Sequence, residues 1–186
     1  ISFAEQNEIE SLFSLCIEPD RLNYEILLSN LIRRNSKKIQ AICLNAAVGK
    51  ENGTIEFLSE GTLSSSTSTS IEINRIPETL SVYKLDSLAS LLKVTHVKMD
   101  IEGDEIDALF GSEVFLKKNR PRLAISVYHR PSDIVEIPLL LNSWLPDYYW
   151  YFRCYGEHGY DTILYGIPKQ TYSLEFVSKE DTDSFR

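Results

Sequence analysis

Lys98-Met99-Asp100-Ile101-Glu102-Gly103-Asp104-Glu105-Ile106-Asp107 decides how the rest of this chain is read. Before it, Val94, Val97, Met99 and Ile101 make a short apolar run. After Gly103, apolar residues recur at Ile106, Leu109, Phe110, Val114 and Phe115, the spacing of one helix face. The pattern predicts a buried strand over 94–101 running into a helix over 103–118 whose first turn is acidic. Carboxylates there have an ordinary explanation, since each offsets the partial positive charge of a helix N-terminus by about 0.3–1 kcal/mol. That accounts for Asp104, Glu105 and Asp107. Asp100 and Glu102 fall on or just after the strand, and in open α/β sheets ligands bind at the carboxyl ends of strands. These two are the first candidates for chemistry.

Outward from this junction, strands and helices alternate. Residues 1–7 read as the tail of a helix, and 12–17 as a strand stopped by Glu18-Pro19-Asp20, with Asp20 suited to cap a helix. Leu22, Ile26, Leu27 and Leu31 then keep a helical period as far as Asn35. A strand follows over 39–44. Two alternating stretches, 54–58 and 69–73, read as a half-exposed hairpin, and the serine- and threonine-rich segment 64–70 between them as a surface loop. A short helix opens at 85–88, capped by Asp86 or Ser87. Beyond the Arg120-Pro121 break, 123–128 is a buried strand ending at His129, and 134–144 is helical with Pro138 in or near its first turn. Residues 149–155 and 162–167 form an antiparallel pair. Together these specify an α/β fold: a mostly parallel sheet flanked by helices, with an antiparallel C-terminal edge. One domain is expected over 1–170, and 171–186 is a charged tail.

Composition removes several classes. A chain of 186 residues that is 43% hydrophobic has enough material for one real core. Its net charge of −8 is wrong for nucleic acid and for an anionic membrane surface. No apolar stretch approaches the roughly 18–20 residues that a membrane span needs. Cys16, Cys43 and Cys154 lack CxxC spacing, so reduced, buried thiols are expected rather than a disulfide framework or a zinc site. Those thiols, and the lack of a signal-peptide pattern after Ile1, point to the cytoplasm. Oligomeric state is left open.

Several separated motifs then occur in one order. They are Cys16-Ile17-Glu18-Pro19-Asp20-Arg21-Leu22-Asn23-Tyr24, Ala47-Val48-Gly49 with Gly53 after it, Leu85-Asp86-Ser87-Leu88, Lys98-Met99-Asp100-Ile101-Glu102-Gly103, Tyr128-His129 and Thr162-Ile163-Leu164-Tyr165. In order and spacing the set resembles the FkbM-type methyltransferases, from about residue 10 to Pro168. The resemblance implies a class I methyltransferase fold with a Rossmann-like sheet, S-adenosylmethionine as cofactor, and methylation of a hydroxyl oxygen on a small molecule or glycan. The glycine-rich turn of such enzymes has no counterpart between Ile1 and Glu18. The chain is therefore expected to begin just after that motif, with the first strand of the fold missing.

Residue by residue, Glu18 at the end of its strand suits a ribose diol, because a carboxylate accepts two hydrogen bonds. The resemblance places the cofactor's adenine near Asn45-Ala46-Ala47, with contact from Asn45 or from backbone groups such as those of Ala46. Asp100 and Glu102 are expected to hold the cofactor's amino-acid portion or the acceptor hydroxyl. Methyl transfer requires an acceptor oxygen held close and relieved of its proton. An imidazole is the side chain suited to that task near neutral pH. His129 is thus the leading general base, and His158, between the last two strands, is a second candidate at the same sheet edge. His96 reads as structural. No residue is assigned to a metal; a hard divalent cation on Asp100, Glu102 and Asp104 with His129 or His158 is the weaker alternative. Two further readings stay open: a non-catalytic methyltransferase-like binding or scaffold domain, and a metal-dependent hydrolase centred on the acidic cluster. The aromatic residues over 148–155 are expected mostly to pack the sheet.

Overall fold

The computed structural model describes residues 12–34, 39–57, 77–89 and 92–169, without the side chains of Arg34 and His158. The helix tail expected over 1–7, the loop at 64–70, the strand at 69–73 and the tail at 171–186 lie outside the described residues. The chain forms two compact units, 1–92 with 106–115, and 93–105 with 116–186.

In the first unit, strand β1 (Leu12–Ile17) lies parallel to β2 (Ile39–Leu44), placing Cys16 opposite Cys43. Helix α1 (Arg21–Arg34) connects them, and the Asp20 carboxylate accepts the Asn23 N–H at 3.0 Å, as an N-cap should. All three cysteines are free thiols, but none is buried as expected: Cys16 and Cys43 are half-buried and Cys154 is exposed. Burial, and then its neighbour Cys16, push the Cys43 thiol up. A second sheet has β5 (Glu78–Tyr83) at its centre, parallel to β3 (Ala47–Val48) and antiparallel to β4 (Gly53–Phe57). The observed partner of β4 is therefore 78–83, where Leu80 and Val82 alternate with Thr79 and Ser81.

The helix expected over 103–118 is two helices, α3 (Glu105–Phe110) and α4 (Glu113–Asn119). Their break lies against a segment remote in sequence. A Cβ on Gly111 would stand 2.0 Å from the carbonyl oxygen of Gly49, so only glycine allows the two segments to approach this closely. Helix α2 (Leu85–Leu88) fastens the break from outside. The Asp86 N–H donates to the Gly111 carbonyl at 2.9 Å, and the Asp86 carboxylate accepts the Phe115 N–H at 2.7 Å. Neither Asp86 nor Ser87 caps its own helix: Lys84 holds the N-cap position and makes no side-chain bond there. The carboxylate of Asp86 caps α4 instead.

In the second unit one sheet runs in the order β6 (His96–Met99), β7 (Arg122–Ser126), β9 (Thr162–Pro168) and β8 (Tyr148–Cys154). β6 and β7 are parallel, while β9 is antiparallel to both its neighbours, which is the expected C-terminal edge. Leu123, Ile125 and Val127 alternate into the core, where Leu164 is also buried. Helix α5 (Asp133–Trp144) buries Asp133, Ile137 and Leu141, a stripe at four-residue spacing. Pro138 sits inside this helix, just past its first turn, so the Ile134 carbonyl has no i+4 donor. The α/β class thus holds, with parallel and antiparallel ladders sharing three sheets among the described residues.

Candidate functional site

Because β6 and β7 are parallel neighbours, their carboxyl ends deliver Asp100 to Glu102 and Tyr128-His129 to one edge of the sheet. The chain then reverses through two left-handed residues, Glu102 at φ 58° and Gly103 at φ 104°. Glycine adopts this at no steric cost, whereas a side chain held there stores about 1–3 kcal/mol, as recurs at functional sites. Gly103 also leaves room for its neighbours: a Cβ on it would come within 3.3 Å of Arg130 Nε and 3.6 Å of His129 Cβ.

His129 is the centre of the cluster, its side chain only 7% exposed. Nδ1 lies 2.8 Å from Glu105 Oε1, while Nε2 lies 3.6 Å from Asp100 Oδ1 and 3.5 Å from Glu102 Oε2. These are ion-pair distances, but neither ring nitrogen has an aligned hydrogen bond among the described residues. Glu105 is 0% exposed; its Oε1 accepts the Ile101 N–H at 2.9 Å, and its Oε2 has no hydrogen-bond partner among the described residues. Burial pushes the Asp100 carboxyl up, yet Lys98 at 3.1 Å, Ser126 and His129 outweigh it and hold the group below its usual range. The Tyr128 ring lies 4.1 Å from that of His129, and burial together with Asp100, Asp161 and Glu102 pushes its phenol up to about 12.

The structure brings Asp100, Glu102 and His129 together as expected and adds Glu105. Reading Glu105 as helix charge is right about its place, at the head of α3, but misses that its carboxylate is buried beneath His129. A signal for this exists: Glu105, Ala108, Leu109 and Ser112 are buried at i, i+3, i+4 and i+7, so Glu105 lies on the inward stripe. Asp104 does not join the cluster, since its carboxylate pairs with Arg130 at 3.1 Å. The set able to hold a metal is Asp100, Glu105 and His129, which offer ligand atoms within 4.8 Å of one another. His158 is in the 3-10 turn Glu157–Gly159, and its side chain lies outside the described residues. His96 is exposed, with Nδ1 3.0 Å from Thr95 Oγ1.

In the first unit, Glu18, Asn45 and Ala46 meet where β1 and β2 end. Asn45 Nδ2 donates to the carbonyls of Glu18 and Pro19 at 3.0 and 2.9 Å, and the Glu18 N–H donates to the Leu44 carbonyl at 3.0 Å. Glu18 Oε1 accepts the Asp20 N–H at 2.8 Å; burial pushes its carboxyl up, with that bond pulling the other way. Asn45's amide is therefore engaged with the loop, and Ala46 is buried.

The methyltransferase FkbM domain matches residues 3–160 of this chain. The chain belongs to the FkbM methyltransferase family. A crystal structure of methyltransferase FkbM from Methylobacillus flagellatus KT is similar to this family member, with 27% identity and a TM-score of 0.66. The similarity covers 85% of this chain and 36% of that one, so the chain spans about a third of that relative's length. No curated protein matches the chain. Among the described residues of this FkbM-family chain, no helix is long and apolar enough to cross a membrane.

Proposed function

We propose that this FkbM-family chain takes part in S-adenosylmethionine-dependent methylation of a hydroxyl oxygen on a small molecule or glycan. The observation that carries the reading is the buried His129, set between Glu105 on one side and Asp100 and Glu102 on the other, at the ends of adjacent parallel strands. A hydroxyl that gains a methyl group must lose its proton, and His129 is the group to take it. Glu105, 2.8 Å from Nδ1, stabilises the charged imidazole, while Asp100 and Glu102 orient the hydroxyl.

The cofactor, when bound, supplies an activated methyl group. The donor set in the first unit fits it: Glu18 is a half-buried carboxylate already oriented by the Asp20 N–H, as a ribose diol requires. Asn45 and Ala46 contribute backbone at the same strand ends. Free thiols at Cys16, Cys43 and Cys154 fit a reducing compartment such as the cytoplasm.

The test is calorimetry with S-adenosylhomocysteine on the full-length protein, followed by methyl transfer to a panel of hydroxyl acceptors. Binding is expected for both wild type and His129→Asn, with transfer about 10²–10⁴-fold slower in the variant. No binding heat from the wild-type protein would refute the enzyme reading in favour of a non-catalytic domain.

A further inference from the structure

We propose that Asp100, Glu105 and His129 form a binding site for one divalent cation. The inference concerns the cluster that the methyl-transfer reading uses, but it goes beyond that reading and rests on binding alone. It starts from charge. Glu105 is fully buried, and no lysine or arginine pairs with it among the described residues: Lys98 serves Asp100, and Arg130 serves Asp104. A buried carboxylate without a counter-charge costs several kcal/mol. Three polar atoms here are buried and have no hydrogen-bond partner among the described residues, namely Glu105 Oε2, His129 Nδ1 and His129 Nε2. The group that faces Glu105 is His129, with Nδ1 2.8 Å from Oε1, and no hydrogen bond joins the two among the described residues.

The dimensions and chemistry suit an ion. One ligand atom from each of the three residues lies within 4.8 Å of the others. Ligands at about 2.0–2.6 Å from a divalent ion stand up to about 4–5 Å apart, so the three atoms are within the reach of one ion. Two carboxylate oxygens and one imidazole nitrogen suit divalent ions of intermediate hardness, and Mn²⁺ is the probe among them that reports its own binding. The ligands are already oriented from behind. Ile101 N–H bonds Glu105 Oε1 at 2.9 Å, and Lys98 Nζ bonds Asp100 Oδ2 at 3.1 Å. Three protein ligands leave coordination positions open. With the ion in place His129 is a ligand, so the ion and the base role of His129 are alternatives for one ring.

Mn²⁺ titrated into the metal-stripped full-length protein, followed by electron paramagnetic resonance of the free ion and by calorimetry, tests the site. One ion per chain is expected. Binding should weaken about tenfold or more in Asp100→Asn and in Glu105→Gln, and stay unchanged in Glu136→Gln on the exposed side of α5. Glu105→Gln keeps the side-chain volume and the acceptor for Ile101, so the fold should persist. In the wild type, Mn²⁺ should broaden the His129 ring signals in NMR well before those of His96, a readout that needs no variant. No binding up to millimolar Mn²⁺, or equal binding to all four proteins, overturns the site. Calorimetry with S-adenosylhomocysteine on the same stripped protein separates the two proposals. Cofactor-product binding without Mn²⁺ binding overturns the cation site alone; Mn²⁺ binding without it supports the site and refutes the methyl-transfer reading.

Discussion

Replacing Gly111 by alanine tests whether a close approach of two backbone segments sets the break between α3 and α4. The new Cβ would lie 2.0 Å from the Gly49 carbonyl oxygen, 3.0 Å from its carbon and 3.3 Å from Lys50 Cα. Carbon and oxygen rest at about 3.3–3.6 Å even in their closest favourable contacts, so relief needs more than an ångström of backbone movement. Overpacking of this kind costs about 1–3 kcal/mol. The movement also strains the bond from Asp86 N–H to the Gly111 carbonyl at 2.9 Å and that from Gly49 N–H to the Tyr83 carbonyl at 3.1 Å. Each such bond contributes about 0.5–1.5 kcal/mol net, which brings the expected loss to about 2–6 kcal/mol. For a chain of this size that lowers the melting midpoint by about 5–20 °C. Calorimetric melting of Gly111→Ala beside Gly53→Ala is the assay, since a Cβ on Gly53 meets nothing within 4 Å. The Gly53 variant should stay within about 1 kcal/mol of wild type. A Gly111→Ala midpoint no more than about 2 °C below wild type would show that the approach is soft and that the break has another origin.

Asp86→Ala removes the acceptor 2.7 Å from the Phe115 N–H and should cost about 1–2 kcal/mol in urea unfolding; a loss below about 0.3 kcal/mol would deny the capping role. Glu18→Gln keeps an acceptor for the Asp20 N–H but lacks the charge that strengthens bonds to a diol. Calorimetry should show S-adenosylhomocysteine binding about tenfold weaker, and an unchanged affinity would remove Glu18 from the cofactor site. At alkaline pH the buried Tyr148 matters. Burial pushes its phenol up to about 12, and its hydroxyl donates to the Pro121 carbonyl at 3.0 Å. The unfolded chain loses this proton first, near pH 10, so the stabilisation is whole below about pH 10 and fades towards pH 12, by up to about 2–3 kcal/mol. Tyr148→Phe should be weaker than wild type at neutral pH yet lose less over that range, and equal losses in the two proteins would contradict this account.

Elements with a local signal were legible from sequence. The apolar run at 12–17, the one at 39–44 and the helical period between them are β1, β2 and α1, with Asp20 capping as expected. The terminal antiparallel pair was equally plain. What escaped depends on distant partners. Apolar positions continue at helical spacing across Gly111, so periodicity alone joins α3 to α4; the carbonyl of Gly49 that forbids a side chain there is far away in sequence. Asp86 looked like a cap, and it is one, but for a helix that begins at Glu113. The candidate site divides in the same way. Strand ends point to Asp100, Glu102 and His129, because topology and chemistry agree there. Glu105 was hidden behind the sound expectation that an acidic residue at a helix start offsets the helix's partial charge, and only its stripe-mates Ala108, Leu109 and Ser112 betray its burial.

The bond from Phe115 N–H to Asp86 has a further use, as a reporter in hydrogen exchange. Phe115 is in the first turn of α4, where backbone N–H groups have no partner within their own helix. Deuterium would enter such an amide almost at the rate of an unstructured peptide, however intact the helix. Here the amide is shielded by a carboxylate from a segment 29 residues away. Its exchange rate therefore reports the opening of that long-range attachment, and a slow Phe115 beside faster amides at the start of α1 would mark a tertiary contact within a whole-protein measurement.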